Sequence, residues 1–223
     1  SFRLYHAASG GIVTTQGSRV SGADGTLALS LSSDALPEAL ATRFRFVDAG
    51  TTMAVAREDL PRIADLLRGQ LLLVEEDAAG NVIEATTLQH AGVLDDLHAD
   101  AARDAALGVS VSDGGTHFAL WAPTARNVSI CLHDDADARA SALLPAMRDD
   151  GTGIWTHAAG RDLSGRYYTW LVDVFVPGTG LVRNRVTDPY SVGLNANSRR
   201  SWIADLDDPK LKPAGWDASN APL

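Results

Sequence analysis

The chain has 223 residues, 45% of them hydrophobic, which is enough for one large domain or for two domains of about a hundred residues, each with a buried core. Its 28 acidic and 19 basic residues give a net charge of -9, which argues against nucleic acid or an anionic membrane as a partner, since both favour clustered Lys and Arg. The single cysteine, Cys131, excludes an internal disulfide, and no apolar run approaches the roughly eighteen residues of a membrane helix.

The first part of the chain predicts a domain of mixed strands and helices. A helix is expected over residues 60–67, where apolar side chains recur at helical spacing and Gly69 follows as a C-terminal stop. The Ala- and Asp-rich stretch over residues 93–106 predicts a helical connector, so we place this α+β domain at residues 1–106. Short runs that alternate in polarity or are rich in β-branched residues predict strands at residues 2–6, 12–15, 27–31, 44–47, 71–74 and 82–86.

Residues 107–194 carry the pattern of an all-β domain. Short alternating runs are separated by turn sequences such as Asp-Gly-Gly and Pro-Gly-Thr-Gly, which is typical of a two-sheet sandwich of immunoglobulin-like shape. In the long strand that starts at Tyr167, alternation places Tyr168 and Trp170 on the core side and Tyr167 and Thr169 on the other.

Beyond the sandwich the regular pattern fades. Residues 195–223 are rich in polar residues and proline, yet they include Trp202, Ile203 and Trp216. Such side chains gain about 1.5–3 kcal/mol each on burial. We therefore expect an extended arm that docks on another surface.

No motif in the chain predicts catalysis. There is no Gly-rich phosphate loop, no paired-cysteine metal spacing and no Gly-x-Ser-x-Gly elbow. Glycoside hydrolysis needs two carboxylates that face each other across the scissile bond, and no carboxylate here has the strand-end setting of such a pair. We predict that the chain alone is not an enzyme.

Acidic doublets are the strongest argument for a metal. They lie at residues 95–96, 134–135, 149–150 and 207–208, and carboxylate oxygens suit calcium. None of them shows the alternating Asp-x-Asp-x-Asp-Gly spacing of a calcium loop, and turns or solvated loops explain them as well. No cofactor is predicted, and calcium is kept as the alternative.

Aromatic side chains are the best candidates for binding, because rings can stack on the faces of sugars. Trp155 follows a glycine-containing turn and is predicted to be exposed, while Trp121 alternates with Phe118 and Leu120 on the other side of its strand. The alternative for all of these rings is packing in the core or against another domain. The predicted sugar-contact residues are Trp155, Tyr167 and Trp121, and the predicted docking residues are Tyr190, Trp202 and Trp216.

Several motifs occur in an order that resembles one known family. They are Phe-Ala-Leu-Trp-Ala-Pro at residues 118–123, Gly-Ile-Trp at residues 153–155 and Thr-Asp-Pro-Tyr at residues 187–190. This order is similar to that of the family 48 carbohydrate-binding module in front of the catalytic barrel of bacterial pullulanase-type debranching enzymes, in the α-amylase superfamily. Residues 92–97 resemble the extra domain that precedes the module in those enzymes.

The resemblance implies a non-catalytic N-terminal segment of a hydrolase that cleaves α-1,6 bonds in glucans. Its expected partners are the catalytic barrel of the same polypeptide and an α-glucan, and the family favours an extracellular or periplasmic location. The lysines and tryptophans with which glycogen-binding members hold sugar have no clear counterparts here, so the resemblance does not carry over sugar affinity. Two alternatives stay open: a free-standing starch- or glycogen-binding module, and a structural immunoglobulin-like interaction domain.

Overall fold

The computed structural model describes residues 1–35, 37–43, 45–46, 50–88 and 90–216. Its contacts divide the chain into two compact units. The first unit comprises Ser1–Leu97 together with Val174–Val182, and the second comprises His98–Asp173 and the residues from Arg183 onward. Among the described residues, no helix is long and apolar enough to cross a membrane.

The first unit contains a five-stranded antiparallel sheet in the order β3-β2-β1-β4-β5. Its strands are β1 (Phe2–Ala7), β2 (Gly25–Leu31), β3 (Met53–Val55), β4 (Gln70–Glu76) and β5 (Val82–Thr87). The helical segments in this half of the chain are α1 (Glu38–Arg43), a 3-10 helix (Arg57–Arg62), α2 (Ile63–Leu66), α3 (Ala91–Leu94), a π-helical turn (Asp95–Ala99) and α4 (Asp100–Ala102).

Leucines from one face of this sheet form the core of the first unit. Leu4, Leu27 and Leu71 are buried there together with Leu67, which directly follows α2. Alternation along each strand brings these leucines to one face, and the amphipathic helical segment covers them.

Most of the predicted elements of this unit are confirmed, with two differences. The β-branched run at residues 12–15 is too short for a strand, and Val13 makes only an isolated bridge to Ser21. Residues 45–46 of the run at 44–47 form a turn, and Phe44 and Val47 lie outside the described residues. The connector predicted at residues 93–106 is helical from Ala91 to Ala102, and residues 103–106 form a turn and a non-helical link to β6.

The second unit is a β-sandwich, as predicted. One sheet has the order β10-β11-β7-β6, and the other has the order β13-β12-β8-β9 with β14 paired to β12. The strands are β6 (Gly108–Ser112), β7 (Gly115–Trp121), β8 (Asn127–His133), β9 (Ala140–Pro145), β10 (Met147–Arg148), β11 (Ile154–Ala158), β12 (Tyr167–Val176), β13 (Gly180–Val186) and β14 (Ser201–Trp202). The end of β12 and the start of β13, within Val174–Val182, are counted with the first unit.

Aromatic rings from both sheets meet in the core of the sandwich. Phe118 of β7 packs edge-on against Tyr168 and Trp170 of β12, with ring centroids 5.1 and 6.3 Å away. These three side chains are fully buried, and Ile130 and Leu132 of β8 complete the layer. Edge-to-face contacts of this kind add to the stabilisation from burial alone.

The prediction of an extended arm from residue 195 is wrong for residues 195–204. Ser201 and Trp202 form β14 on β12, and Ile203 lies fully buried in the sandwich core. A strand of two residues shows no readable alternation, which is why the sequence pattern missed it. Asp208 then caps a 3-10 helix, Pro209–Leu211, and residues 217–223 of the predicted arm lie outside the described residues.

Candidate functional site

The buried carboxylate of Asp188 accepts hydrogen bonds from its surroundings just after the end of β13. Asp188 is 4% exposed, accepts a hydrogen bond from the Tyr168 hydroxyl at 2.6 Å and accepts another from the Tyr190 amide at 2.8 Å. The amide of Asp188 donates to the Ser201 hydroxyl at 2.8 Å. Burial and the Asp188 charge raise the pKa of Tyr168 far above its ordinary value, so this phenol stays a donor. The network holds Asp188 and Ser201, the two ends of this segment, on the sandwich core.

This anchoring positions β14, which places Trp202 beside Tyr167. The two residues are cross-strand partners, and the other neighbour of Tyr167 is His133 of β8. Tyr168 and Ser201 are fully buried on the core side, so Tyr167 and Trp202 point to the opposite face of the sheet. We call His133, Tyr167 and Trp202 the aromatic row.

The segment beside β14 supports one end of the aromatic row. The Trp202 amide donates to the Gly193 carbonyl at 2.8 Å, and a Cβ atom at Gly193 would lie 3.0 Å from Cε3 of Trp202. The indole therefore lies directly on a residue without a side chain. In the same segment Tyr190, Val192 and Leu194 are 40%, 61% and 47% exposed.

Two arginines stand beside the aromatic row and supply hydrogen-bond donors. Arg185 Nη2 lies 3.7 Å from the sulfur of buried Cys131, and Arg200 Nη1 donates to the Asp135 carbonyl at 2.9 Å. Cys131 is the cross-strand partner of Thr169, so this polar group continues the outer face of the sheet that carries the row.

His133 is a buried, neutral member of the aromatic row. Its Nδ1 donates to the Ala138 carbonyl at 3.1 Å, and the ring is 1% exposed. Burial, assisted by the positive charges of Arg200 and Arg185, lowers the pKa of His133 below its ordinary value. Nε2 of His133 and Oγ1 of Thr169 are buried without a hydrogen-bond partner in the described part of the chain.

The arrangement suits a flat, uncharged, hydroxyl-rich ligand. Tyr167 and Trp202 are half-buried cross-strand partners whose rings can pack against an apolar ligand face, and the neighbouring guanidinium groups can donate to hydroxyl oxygens.

Of the predicted sugar-contact residues, only Tyr167 lies in this row. Trp155 is 5% exposed and belongs to the sandwich core, with its indole nitrogen donating to the Ala122 carbonyl at 3.0 Å. The prediction that Trp155 is exposed is therefore wrong, because the side of β11 that carries it faces the core. Trp121 is half-buried on β7, in the other sheet, and donates to the Thr152 carbonyl at 2.9 Å.

The predicted docking residues lie in three different settings. Trp202 joins the aromatic row, Tyr190 is 40% exposed in the segment between β13 and β14, and Trp216 is 63% exposed near the end of the described chain. Sequence reasoning missed His133, Arg185 and Arg200. A signal existed for His133, because Val128, Ile130 and Leu132 share the core face of β8 and leave residue 133 on the other face.

The acidic doublets serve as turns, caps and ion pairs. Asp149 accepts from the Thr152 amide at 2.8 Å, Asp135 accepts from the Ala138 amide and Asp134 pairs with Arg166 at 2.9 Å. Backbone hydrogen bonds lower the pKa of both Asp149 and Asp135. Within the described ranges, no group of three His, Cys, Asp or Glu side chains has an arrangement that could hold a metal ion.

Comparison with protein families matches both parts of the chain. Residues 1–96 match the family described as the Pullulanase N2 domain. Residues 106–191 match the family described as Carbohydrate-binding module 48 (Isoamylase N-terminal domain).

Individual relatives agree with these matches. A pullulanase from Klebsiella pneumoniae is 37% identical over 179 residues, which cover 80% of this chain and 16% of the relative. Pullulanase 1, chloroplastic, from Arabidopsis thaliana is 33% identical over 199 residues, or 89% of this chain and 20% of the relative.

Solved structures show the same relationship. The maltotriose complex of PulA from Klebsiella pneumoniae superposes with a TM-score of 0.86 and 31% identity, over 97% of this chain and 23% of that structure. PulA from Klebsiella oxytoca gives the same TM-score at 33% identity. The chain thus spans less than a quarter of each of these relatives. Both domain families are found here in the order in which pullulanases carry them, and the chain belongs to the pullulanase N-terminal region, as an N2 domain followed by a carbohydrate-binding module of family 48.

Proposed function

We propose that the protein to which these two domains belong is a pullulanase-type hydrolase that cleaves α-1,6 bonds in α-glucans. The observation that carries this proposal is the match to pullulanase over nearly the whole chain, since 97% of it superposes on PulA from Klebsiella pneumoniae at a TM-score of 0.86. In this proposal the residues described here have no part in the chemistry. They precede and support a catalytic barrel of the same polypeptide.

The test compares this chain with the natural full-length protein on pullulan, amylopectin and glycogen. The full-length protein should release reducing ends from pullulan, and the 223-residue chain should release none above a buffer blank. Release by the chain itself, abolished by substitution of a carboxylate within it, would contradict the non-catalytic role. Absence of release by the full-length protein would contradict the debranching proposal.

The aromatic row is proposed to contact α-glucan directly. Tyr167 and Trp202 are half-buried cross-strand partners, and Arg200 and Arg185 lie near enough to His133 to affect its pKa. Only two rings are available, so we expect weak binding, with a dissociation constant of about 1 mM for a short maltooligosaccharide.

Calorimetric titration of the chain with maltoheptaose tests the contact. Trp202→Ala and Tyr167→Ala should each weaken binding by about tenfold, the effect of one lost stacking contact of 1–1.5 kcal/mol. Trp216→Ala is the matched control, since its ring is 63% exposed and lies outside the row. If all three substitutions weaken binding equally, the aromatic row is not the glucan-binding site.

We propose that the segment between β13 and β14, which lies beside the aromatic row, supports the catalytic barrel. Tyr190, Val192 and Leu194 occupy every second position in a segment of turns and bends and are all exposed, which is more apolar surface than a solvated loop needs. Val192→Asp in the full-length protein should lower its melting temperature while leaving the melting temperature of the isolated chain unchanged. An equal effect on both proteins would show that Val192 acts within the sandwich.

A further inference from the structure

The strand β5 lies at the edge of the five-stranded sheet and is only partly covered. The loop that follows β1 pairs with its first residue, since the Val82 amide donates to the Ser18 carbonyl at 2.9 Å and the Gly17 amide donates to the Val82 carbonyl at 2.9 Å. Past this point Ile83 is 44% exposed, and Glu84, Thr86 and Thr87 are exposed as well. An edge strand in this state presents unpaired backbone groups to any extended chain.

A cleft lies on each side of this edge. The first is floored by Phe2, Leu73 and Thr86, and the second lies between Ile83 and the loop residues Thr14 and Gln16. Glu84 and Ala85 line both clefts. Successive side chains of a strand point to opposite faces, so a strand added at β5 would send alternate side chains into the two clefts.

The first cleft also contains an unusual pair of like charges. Glu75 of β4 and Glu84 of β5 are direct cross-strand partners, next to a bulge at residues 75–76. Neither carboxylate forms an ion pair with a residue in the described part of the chain. Like charges directly opposite each other destabilise a sheet, whereas a cation beside them would turn the cost into a gain.

We propose that β5 is a docking edge for an extended segment of a partner protein, added as a sixth strand, with a Lys or Arg side chain that lies against Glu84 and Glu75. The backbone edge provides the hydrogen bonds, and the two carboxylates select the cationic residue. A second copy of this chain does not fit, because it would bring its own Glu84 and Glu75 to the same short edge and gather four carboxylates there. This docking edge is independent of the proposed enzymatic activity.

The experiment is an NMR titration of the isotope-labelled chain with two capped peptides, Thr-Val-Lys-Val-Thr and Thr-Val-Glu-Val-Thr. The lysine peptide should shift the amide signals of residues 83–87 and bind about three- to tenfold more tightly than the glutamate peptide at low salt. The difference should shrink when salt is raised, since the pair is exposed. Equal affinity of the two peptides, no binding of either, or shifts confined to other residues would overturn the proposal.

A charge reversal provides the second arm. Glu84→Lys should reverse the preference, so that the glutamate peptide binds more tightly. Glu58→Lys is the matched control, because it makes the same charge change in the 3-10 helix Arg57–Arg62 and should leave the preference unchanged. If both variants alter the preference equally, only the net charge matters and the docking edge is excluded. Unchanged amide signals elsewhere in each variant would show that the fold is kept.

Discussion

Trp155 shows what a single ring does in the core of the sandwich. It is 5% exposed, and its indole nitrogen donates a hydrogen bond to the Ala122 carbonyl. Trp155→Ala would leave a large cavity, so we expect the free energy of unfolding to fall by about 3–5 kcal/mol. Urea denaturation followed by circular dichroism measures the loss. Trp216→Ala should change stability by less than about 0.5 kcal/mol, and equal losses in the two variants would contradict the burial of Trp155.

His133 makes the stability of the sandwich depend on pH. Its pKa is lowered by burial, with help from Arg200 and Arg185, from an ordinary value of 6.5. The unfolded chain therefore binds a proton at a higher pH than the folded chain does. The stabilisation is complete above pH 6.5 and is lost as the pH falls below 6.5 toward the lowered pKa.

His133→Asn keeps a donor for the Ala138 carbonyl and removes the titration. The slope of unfolding free energy against pH between 6.5 and 5 should be smaller in this variant than in the parent chain. Burial also lowers the pKa of His90, so His90→Asn should remove a separate part of the slope. A parent slope that survives unchanged in His133→Asn would rule out His133 as its source.

At the scale of elements, one network ties the exit of β13 to β14. Asp188 accepts from Tyr168 and from the Tyr190 amide, and Ser201 accepts from the Asp188 amide. Asp188→Ala leaves a buried hydroxyl and an amide without their acceptor, so we expect a loss of about 3 kcal/mol. Tyr168→Phe in the same chain should recover part of that loss, because the orphaned hydroxyl is gone. A double-mutant cycle that gives strict additivity would contradict the coupling.

The position of β14 also changes what a protease should find. Ser201 and Ile203 are fully buried, whereas Leu206 is 70% exposed. Limited trypsin treatment should therefore cut after Lys210 first and leave a core that still contains Ala204. A stable core that ends near Ser191 would show that residues 195–204 form the detachable arm that the sequence pattern suggested.

The sequence predicted long elements well and short ones badly. Ten residues of β12 give a clear alternation, and the structure confirms that Tyr168 and Trp170 face the core while Thr169 faces the other way. The two residues of β14 give none, so Trp202 was assigned to an arm rather than to a sheet. Alternation also does not say which face of a five-residue strand such as β11 is buried, which is why Trp155 was assigned to the surface.

At the scale of the whole molecule, the sequence motifs indicated both domains, but they did not bring the site together. Tyr167, Trp202 and His133 come from three strands that lie far apart in sequence. Their proximity depends on strand pairing, and no spacing rule in a single sequence encodes it. Of the three residues in the aromatic row, the sequence predicts only Tyr167 as a sugar contact, and its two neighbours become candidates only through the strand pairing of the sheet.

The overall charge gives a prediction that separates the two proposed surfaces. The chain carries a net charge of -9, yet a maltooligosaccharide is neutral. Its binding at the aromatic row should therefore change by less than about twofold between 50 and 500 mM salt. Calorimetry at the two salt concentrations measures this. A strong salt dependence would mean that the arginines bind an anion there, and would contradict a neutral glucan as the ligand.

The first unit is discontinuous, since it takes Val174–Val182 from a hairpin far downstream. On the ribosome the chain emerges from its N-terminus at about 5–20 residues per second. Residues 1–97 must therefore wait several seconds, while most of the sandwich is made, before their last contacts exist. During that interval Gly10 lacks the Phe175 ring that lies against it in the folded protein. A gene truncated before residue 174 would encode all of the residues that match the N2 domain, but its product would lack the contacts that Val174–Val182 makes in the first unit.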